Sequence, residues 1–330
     1  MEYTFLGRTG VRISKLAFGT MSFGGDADEK VSSDLYRRCR DAGINCFDCA
    51  NVYAKGASEQ ILGRLMREHR DELFITTKAY FPTGEGPNER GSSRYHLVRA
   101  VEQSLRRLDT DRIDLFFLHR FDEATGLEET LRATELLLQQ GKVSYIGVSN
   151  FSAWQTMKAL GLADRLGLTP LVALQPMYSL AKRQAEVELL PMAKAEGLGV
   201  FPYSPLGGGL LSGKYGADRR PSSGRLTSNQ MYQTRYRDEG YYALAERFTA
   251  FAAERGVSPA ALAVAWVAAH PAVTAPLIGA RNIEQLNGVL AALDLAIDDD
   301  LYAELAALSP TPPPATDRSE EGSAHTYGER

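Results

Sequence analysis

The chain has 330 residues, of which 44% are hydrophobic and 24% are charged. This length and composition allow a large buried core and exclude disordered and fibrous proteins. The net charge of −4 leaves no basic excess, so we expect no nucleic-acid partner. The sequence shows neither a signal-peptide pattern nor an apolar run long enough to cross a membrane, and it contains only three cysteines. We therefore predict a cytoplasmic protein with no membrane partner.

Short runs of β-branched and aromatic residues alternate along the chain with longer segments at helical spacing. The short runs predict strands at 13–21, 45–50, 73–79, 113–119, 143–149, 170–177, 198–204 and 274–279. The longer segments predict helices at 29–42, 58–69, 94–108, 127–140, 152–166, 184–196, 241–255 and 282–293. Eight strands that are each followed by a helix form an α/β fold of the (β/α)8 TIM barrel type, which is the fold we expect.

Three segments lie outside this repeat. Residues 3–12 are predicted to form an N-terminal hairpin before the first barrel strand, and residues 207–240 form a long loop after the seventh strand. The Pro-rich and polar segment 309–330 cannot bury enough apolar surface to order itself. We therefore predict a single domain over residues 1–308, followed by a flexible C-terminal tail over residues 309–330.

Polar residues stand at the C-terminal ends of the predicted strands, where active sites of such barrels form. They are Asp48, Lys78, His119, Ser149, Asn150, Gln175, Tyr203 and Ser204, with Gly279 and Arg281 after the eighth strand. An Asp, a Lys and a His on consecutive strand ends converge on one mouth of the barrel. This cluster of titratable groups favours a functional site over a structural accident.

The chemistry of these residues suits a carbonyl substrate. Lys78 follows an apolar run, so its ammonium needs a partner, and Asp48 on the neighbouring strand supplies one. Tyr53, in the loop after Asp48, can fold back beside Lys78, whose charge would lower the pKa of the phenol below about 10. Tyr53 would then donate a proton near neutral pH, and His119 would give a second hydrogen bond to a polarised oxygen.

Three motifs resemble one known family. The segment 43–63, GINCFDCANVYAKGASEQILG, closely matches the first signature of the aldo-keto reductase superfamily. GKVSYIGVSNF at 141–151 resembles a further motif of that superfamily, and YSPLGGGLLSGKY at 203–215 resembles its cofactor loop. The resemblance extends from residue 3 to residue 308. HRFD at 119–122 and the long loop make it similar to the bacterial and potassium-channel-beta-like branch.

The resemblance implies an enzyme that reduces an aldehyde or a ketone with a catalytic tetrad of Asp48, Tyr53, Lys78 and His119. Hydride would pass from the nicotinamide to the carbonyl carbon, while Tyr53 gives a proton to the oxygen. Lys78, held by Asp48, would lower the pKa of Tyr53, and His119 would orient the substrate oxygen. Cys49 stands where the family usually has Thr, and we expect this exchange of small residues to be harmless.

The resemblance also implies a cofactor site, in which Ser149, Asn150 and Gln175 hold the nicotinamide carboxamide and Tyr203 stacks on the ring. The positions that match cofactor contacts are Thr20, Met21, Asp48, Ser149, Asn150, Gln175, Tyr203, Ser204, Leu206, Gly208, Leu210, Ser212, Lys214, Arg225, Gly279, Arg281 and Gln285. Arg281 stands at the start of a helix, where a guanidinium and backbone N–H groups can bind a 2′-phosphate, so NADP(H) is favoured over NAD(H). An acidic–amide pair that often contacts adenine in the family is replaced here by Gly288 and Val289.

Aromatic residues just beyond the strand ends suit either an apolar substrate pocket or plain core packing. They are Phe23, Tyr80, Phe81 and Trp154. We expect a pocket for a small-molecule carbonyl substrate, lined by Phe23, Tyr53, Tyr80 and His119. The sequence specifies neither the substrate itself nor an oligomeric state.

Two other functions fit parts of the pattern. A lysine at a barrel strand end is what a Schiff-base aldolase requires, although a lyase would not need Arg281 or the segment 203–215. A regulatory protein that holds NADP as a redox sensor, as the channel-beta-like resemblance suggests, would keep the same tetrad. Cys46 and Cys49 form a C-x-x-C spacing, but on a strand they face opposite sides, so we expect packing residues and no metal site.

Overall fold

The computed structural model describes residues 1–318 and 320. The strands within these residues are β1 (Tyr3–Phe5), β2 (Arg12–Ser14), β3 (Ala17–Gly19), β4 (Cys46–Asp48), β5 (Phe74–Ala79), β6 (Ile113–Leu118), β7 (Val143–Ser149), β8 (Ala173–Gln175), β9 (Gly199–Val200) and β10 (Leu277–Ile278). The helices are α1 (Glu29–Asp41), α2 (Ala57–Met66), α3 (Arg94–Leu108), α4 (Leu127–Gln139), α5 (Ala153–Leu166), α6 (Leu189–Glu196), α7 (Arg225–Ser228), α8 (Gln230–Arg235), α9 (Glu239–Glu254), α10 (Pro259–Ala269), α11 (Ile283–Leu290) and α12 (Asp299–Ala307).

Eight parallel strands form one sheet in the order β10-β3-β4-β5-β6-β7-β8-β9. Backbone hydrogen bonds join the two ends of this sheet, because the N–H of Leu277 donates to Pro202 O at 2.8 Å and the N–H of Ala275 donates to Val200 O at 3.1 Å. The sheet is thereby closed on itself, with α-helices between the strands. The predicted (β/α)8 barrel is confirmed.

The N-terminal hairpin is also confirmed, since β1 and β2 pair antiparallel. The prediction of one strand over 13–21 is wrong at its beginning. Ile13 and Ser14 belong to the hairpin, and the Ser14 hydroxyl donates to Leu16 O at 2.7 Å, which turns the chain before β3. Leu6 and Ile13 are fully buried in the cluster that fills the barrel interior, so the hairpin closes the barrel opposite its functional mouth.

Inside the barrel, alternate residues of each strand form a packed apolar layer. Phe74, Phe117 and Ala173 belong to this layer, and the inward-facing positions that follow them reach the C-terminal mouth. Gly147 makes room for the layer, because a Cβ at this position would lie 2.6 Å from the Phe117 ring. This packed apolar layer therefore lies beneath the polar side chains at the mouth of the barrel.

The connection 207–240, which the sequence predicts to be a loop, contains the short helices α7 and α8. Leu226, Tyr232 and Tyr236 are buried and fix this segment to the body of the barrel. At the C-terminus, the Arg183 guanidinium donates to Ala306 O and Ser309 O. The predicted flexible tail 309–330 includes residues 319 and 321–330, which lie outside the described residues.

Among residues 1–318 and 320, no helix combines the length and the apolar character that crossing a membrane requires.

Candidate active site

The floor of the site is an ion pair at the ends of β4 and β5. Lys78 Nζ lies 2.5 Å from Asp48 Oδ2, and the side chains of Lys78 and Asp48 are 0% and 4% exposed. The ammonium also donates to Cys49 O at 2.6 Å. Asp48 Oδ1 accepts hydrogen bonds from Thr76 Oγ1 at 2.5 Å and from Gln175 Nε2 at 2.9 Å. The two charges are buried away from water and are stabilised there by their mutual attraction and by these hydrogen bonds.

Tyr53 lies over this pair because the backbone after it is unusual. Ala54 and Lys55 have φ values of 47° and 55°, and Gly56 has a φ of 93°. Left-handed geometry in two non-glycine residues costs about 1–2 kcal/mol each, which the surrounding contacts must offset. The turn directs the Tyr53 ring over Lys78, with Nζ 5.1 Å from the ring centroid and 3.5 Å from Oη.

A buried ion pair supports the segment after Tyr53, and the sequence interpretation missed it. Glu59 is fully buried, accepts from Thr77 Oγ1 at 2.6 Å and pairs with Arg107 Nε at 2.6 Å. The Arg107 side chain packs so closely on Gly56 that a Cβ there would lie 2.8 Å from it. Glu59 therefore connects the backbone next to Lys78 with the turn that carries Tyr53. A Glu in the apolar face of α2 was the available signal.

His119 follows β6 and faces Tyr53 edge-on, with 6.3 Å between the ring centroids. It is buried, and its Nδ1 atom has no hydrogen-bond partner within the described part of the chain. Burial, together with the positive charge of Lys78, holds the pKa of His119 well below 6.5. The imidazole is therefore neutral at physiological pH and keeps one N–H for donation.

The pKa shifts of Lys78 and Tyr53 define the charges of the floor. Burial alone would lower the pKa of Lys78, but Asp48 and Tyr53 outweigh it and the pKa lies above 10.5. Burial raises the pKa of Tyr53 to about 12, against the opposing effect of the Lys78 ammonium. The expected pKa below about 10 is therefore wrong, because desolvation of the phenol exceeds the effect of one ammonium 3.5 Å away. Tyr53 carries its proton throughout the neutral range.

A cleft of about 1180 Å³ opens above this floor. Most residues predicted to bind a cofactor line it, and they come from six strand ends, the 207–240 connection and α11. They are Met21, Asp48, Ser149, Asn150, Gln175, Tyr203, Ser204, Leu206, Gly208, Ser212, Lys214, Arg225, Gly279, Arg281 and Gln285. The structure thus brings together residues that are up to 264 positions apart in the chain, from Met21 to Gln285.

Two predicted cofactor residues do not line the cleft with their side chains. Thr20 is fully buried and its hydroxyl donates to Asp48 O at 3.0 Å, so it shapes the floor from behind. Leu210 is also fully buried, and its side chain belongs to the core between sheet and helices. Neither side chain is therefore placed to contact a ligand in the cleft, and the assignment of Thr20 and Leu210 to the cofactor stays a prediction.

Amide and hydroxyl groups form the wall next to the floor. The Ser149 hydroxyl donates to Gln175 O at 2.9 Å, and Asn150 Nδ2 donates to His119 O at 2.9 Å. Tyr203 Oη donates to Asn150 Oδ1 at 2.8 Å, which holds the Tyr203 ring against this wall. Fixed amides beside a flat aromatic ring can bind a planar amide-bearing ring by hydrogen bonds and stacking.

Cations form the outer part of the cleft. Lys214, Arg225 and Arg281 line it, and none of them forms an ion pair within the described residues. Arg281 is two residues before the start of α11, where the Asn282 side chain accepts a hydrogen bond from the Gln285 N–H. Glu284 lines the cleft near Arg281 and is the nearest acidic residue in sequence. Unpaired cations in a cleft are suited to bind an anionic ligand such as a phosphate.

The predicted substrate pocket is corrected at two positions. Phe23 is fully buried against Phe18, 5.8 Å between ring centroids, and belongs to the core. Tyr80 does not line the cleft, whereas Phe81 does, with its ring 4.8 Å from that of His119. Tyr80 packs edge-on against the Phe81 ring, and Phe81 is the one of the two that lines the cleft. Tyr53 and His119 line the cleft as expected.

Further cleft residues come from the 207–240 connection and were not predicted. Met231, Tyr232 and Arg235 of α8 line the cleft, as does Arg120, which directly follows His119. Their only signal in the sequence was the length of the connection and the basic residue in the HRFD segment. The three cysteines are buried and unpaired, and Cys46 and Cys49 belong to different core clusters, so the expectation of packing residues is confirmed.

Comparison with known proteins shows the family. A model of the aldo/keto reductase family matches residues 15–310. The chain belongs to the aldo/keto reductase family. It is 40% identical over 326 residues to the uncharacterized oxidoreductase YrpG of Bacillus subtilis, an alignment that covers 94% of this chain and 97% of that protein.

Plant proteins are similar as well. Two probable voltage-gated potassium channel subunits beta, from Oryza sativa and Arabidopsis thaliana, are 38% and 37% identical to this chain, and each alignment covers 89% of this chain and 92% of the relative. The resemblance to the bacterial and channel-beta-like branch is thus confirmed.

Proposed function

We propose that this protein reduces an aldehyde or a ketone to the alcohol with NADPH, with Tyr53 as the proton donor. The observation that carries the proposal is the floor of the cleft. A protonated tyrosine lies 3.5 Å from a buried ammonium and edge-on to a neutral imidazole, and the tyrosine and the imidazole line one open cleft. Membership of the aldo/keto reductase family and the similarity to an oxidoreductase support the same reaction class.

Each residue of the floor has a distinct task. Tyr53 gives its proton to the carbonyl oxygen, and the Lys78 ammonium stabilises the negative charge that Tyr53 acquires. Asp48 keeps Lys78 charged and in place through the 2.5 Å ion pair. His119 donates a hydrogen bond to the carbonyl oxygen and, because it is neutral, does not add a second cation beside Lys78.

The cleft residues fit a dinucleotide. Ser149, Asn150 and Gln175 would hold the carboxamide of the nicotinamide, and Tyr203 would stack on its ring. The unpaired Lys214, Arg225 and Arg281 would hold phosphates, with Arg281 at the helix N-terminus suited to the 2′-phosphate. NADPH, when bound, supplies the hydride.

The structure disfavours a Schiff-base aldolase. A lysine attacks a carbonyl only as the neutral amine, whereas Lys78 is paired with Asp48 and its pKa lies above 10.5. Its ammonium is also completely covered by protein. Lys78 therefore acts through Tyr53 and not as a nucleophile.

The test is NADPH oxidation with 4-nitrobenzaldehyde by the wild type and by Tyr53→Phe. We expect kcat to fall by about 10²–10⁴-fold in the variant, because only the hydroxyl is lost. The control is NADPH binding, which is measured by the quenching of tryptophan fluorescence and should persist in the variant. Equal kcat values in the two proteins would reject Tyr53 as the donor, and failure of the wild type to bind NADPH would reject the proposal altogether.

A second candidate function is a regulatory protein that holds NADP and turns over little. The similarity to probable potassium channel subunits beta favours it, since those names describe an accessory role. The two functions differ in kinetics. Slow NADP⁺ release with hardly any steady-state turnover would support the regulatory role, whereas release as fast as repeated turnover would support the reductase.

A further inference from the structure

Two cations of the cleft remain without a role after the floor and the phosphate-binding residues are assigned. They are Arg120, directly after His119, and Arg235 at the end of α8. Neither side chain forms an ion pair within residues 1–318 and 320. Arg120 is exposed, and Arg235 is partly buried with its guanidinium 5.2 Å from the centre of the Tyr232 ring.

Both arginines line the same cleft as Tyr53 and His119, the residues between which a substrate carbonyl would react. Arg120 is the neighbour of His119 in the chain. Tyr203 is joined to His119 by hydrogen bonds, because Tyr203 donates to Asn150 and Asn150 donates to His119 O. The charge of Arg235 acts on the same tyrosine, since it opposes the rise that burial causes in the pKa of Tyr203.

No carboxylate of the described cleft lining balances these two charges. Asp48 is neutralised by Lys78, and Glu284 belongs to α11 beside Arg281, in the part of the cleft assigned to phosphate. Asp122 follows Arg120 by two residues but points away. Its Oδ2 accepts from the Ser92 N–H and from the Thr125 hydroxyl, both at 2.7 Å. The positive charges of Arg120 and Arg235 are therefore uncompensated within the described cleft lining.

We infer that Arg120 and Arg235 select carbonyl substrates that also carry a carboxylate. The lining of the same cleft includes the apolar side chains of Val52, Phe81 and Met231. An aldehyde whose carboxylate lies across an aromatic ring or a short chain would bring its carbonyl to Tyr53 and its anion to the arginines. A guanidinium suits this task because it binds a carboxylate with two parallel hydrogen bonds.

This inference rests on the proposed reductase function and can be tested separately from it. The substrates are 4-formylbenzoate and its methyl ester, which share the aldehyde and the ring and differ in charge. We expect the wild type to show a kcat/KM about five- to tenfold higher for 4-formylbenzoate, because the exposure of the arginines to solvent makes a charged contact weaker than its buried equivalent. High salt should reduce this ratio, since partly exposed charges are screened.

The variants Arg120→Gln and Arg235→Gln should each lower the ratio towards one, while Arg120→Lys should retain part of it. Arg237→Gln, an exposed arginine just beyond α8, is the matched control and should keep the wild-type ratio. Reduction of both aldehydes with equal kcat/KM by the wild type would overturn the inference and leave the reductase proposal intact. Reduction of neither aldehyde despite NADPH binding would overturn both.

Discussion

The floor and the outer wall of the cleft balance their charges in different ways. On the floor, Lys78 and Asp48 form a buried ion pair, and each group has further hydrogen bonds within the protein. On the outer wall, Lys214, Arg225 and Arg281 stand partly or largely exposed without acidic partners among the described residues. The charges of the floor are neutralised within the protein, whereas the cations of the outer wall remain available to bind an anionic ligand.

The floor is therefore suited to catalysis, and the outer wall is suited to ligand binding. A preorganised, desolvated floor acts on the reacting atoms, because electrostatic effects are strong where water is excluded. A cationic wall attracts and holds an anion, and its effect depends on salt. Substitutions on the floor should therefore change kcat and stability, and substitutions on the wall should change affinity.

The largest effect is expected for Lys78→Met. Loss of the ammonium removes the stabilisation of the Tyr53 anion, so kcat should fall by about 10²–10³-fold. It also leaves the Asp48 carboxylate buried without a partner, which should lower the free energy of unfolding by about 3–5 kcal/mol. Steady-state kinetics and urea denaturation measure the two effects.

The double variant Asp48→Asn with Lys78→Met is the control for this prediction. It removes both charges, so much of the lost stability should return while the activity remains lost. Recovery of activity together with stability would show that Lys78 acts only through folding.

A smaller effect is expected for Arg281→Gln on the outer wall. The variant should lose about 10–100-fold in NADPH affinity, because a charged hydrogen bond to a phosphate contributes about 1.5–3 kcal/mol. NADH affinity should change little, since NADH lacks the 2′-phosphate. Fluorescence titration with both cofactors gives the ratio of dissociation constants. Equal losses for NADPH and NADH would contradict the role of Arg281 in 2′-phosphate recognition.

The sequence predicted the floor better than the part of the cleft that α8 lines. Asp48, Lys78 and His119 were recognisable because each follows an apolar run, and the end of a barrel strand has a known place in the fold. Tyr232 and Arg235 were not recognisable, because short helices within a long connection take their positions from packing of residues such as Tyr236. Local pattern carries no information on such contacts between distant segments.

The predictions for Phe23 and for the pKa of Tyr53 were wrong for related reasons. Phe23 and Phe81 both follow strand ends, yet only Phe81 reaches the cleft, because Phe23 turns inward onto Phe18. The pKa of Tyr53 was expected to fall through proximity to Lys78, but the extent of burial, which requires the full structure, reverses the direction. The buried Glu59–Arg107 pair likewise depends on how α2 packs against α3.

In the proposed reaction Tyr53, partly buried and protonated, gives its proton to the substrate. The most direct measurement is the single-turnover rate of NADPH oxidation with 4-nitrobenzaldehyde as a function of pH. Burial holds the pKa of Tyr53 at about 12, so the donor stays protonated and the rate should remain constant from neutral pH to about pH 10. Above that range the rate should fall as the phenol loses its proton. A rate that falls about tenfold per pH unit from pH 7 upward would show a donor of much lower pKa and contradict the account.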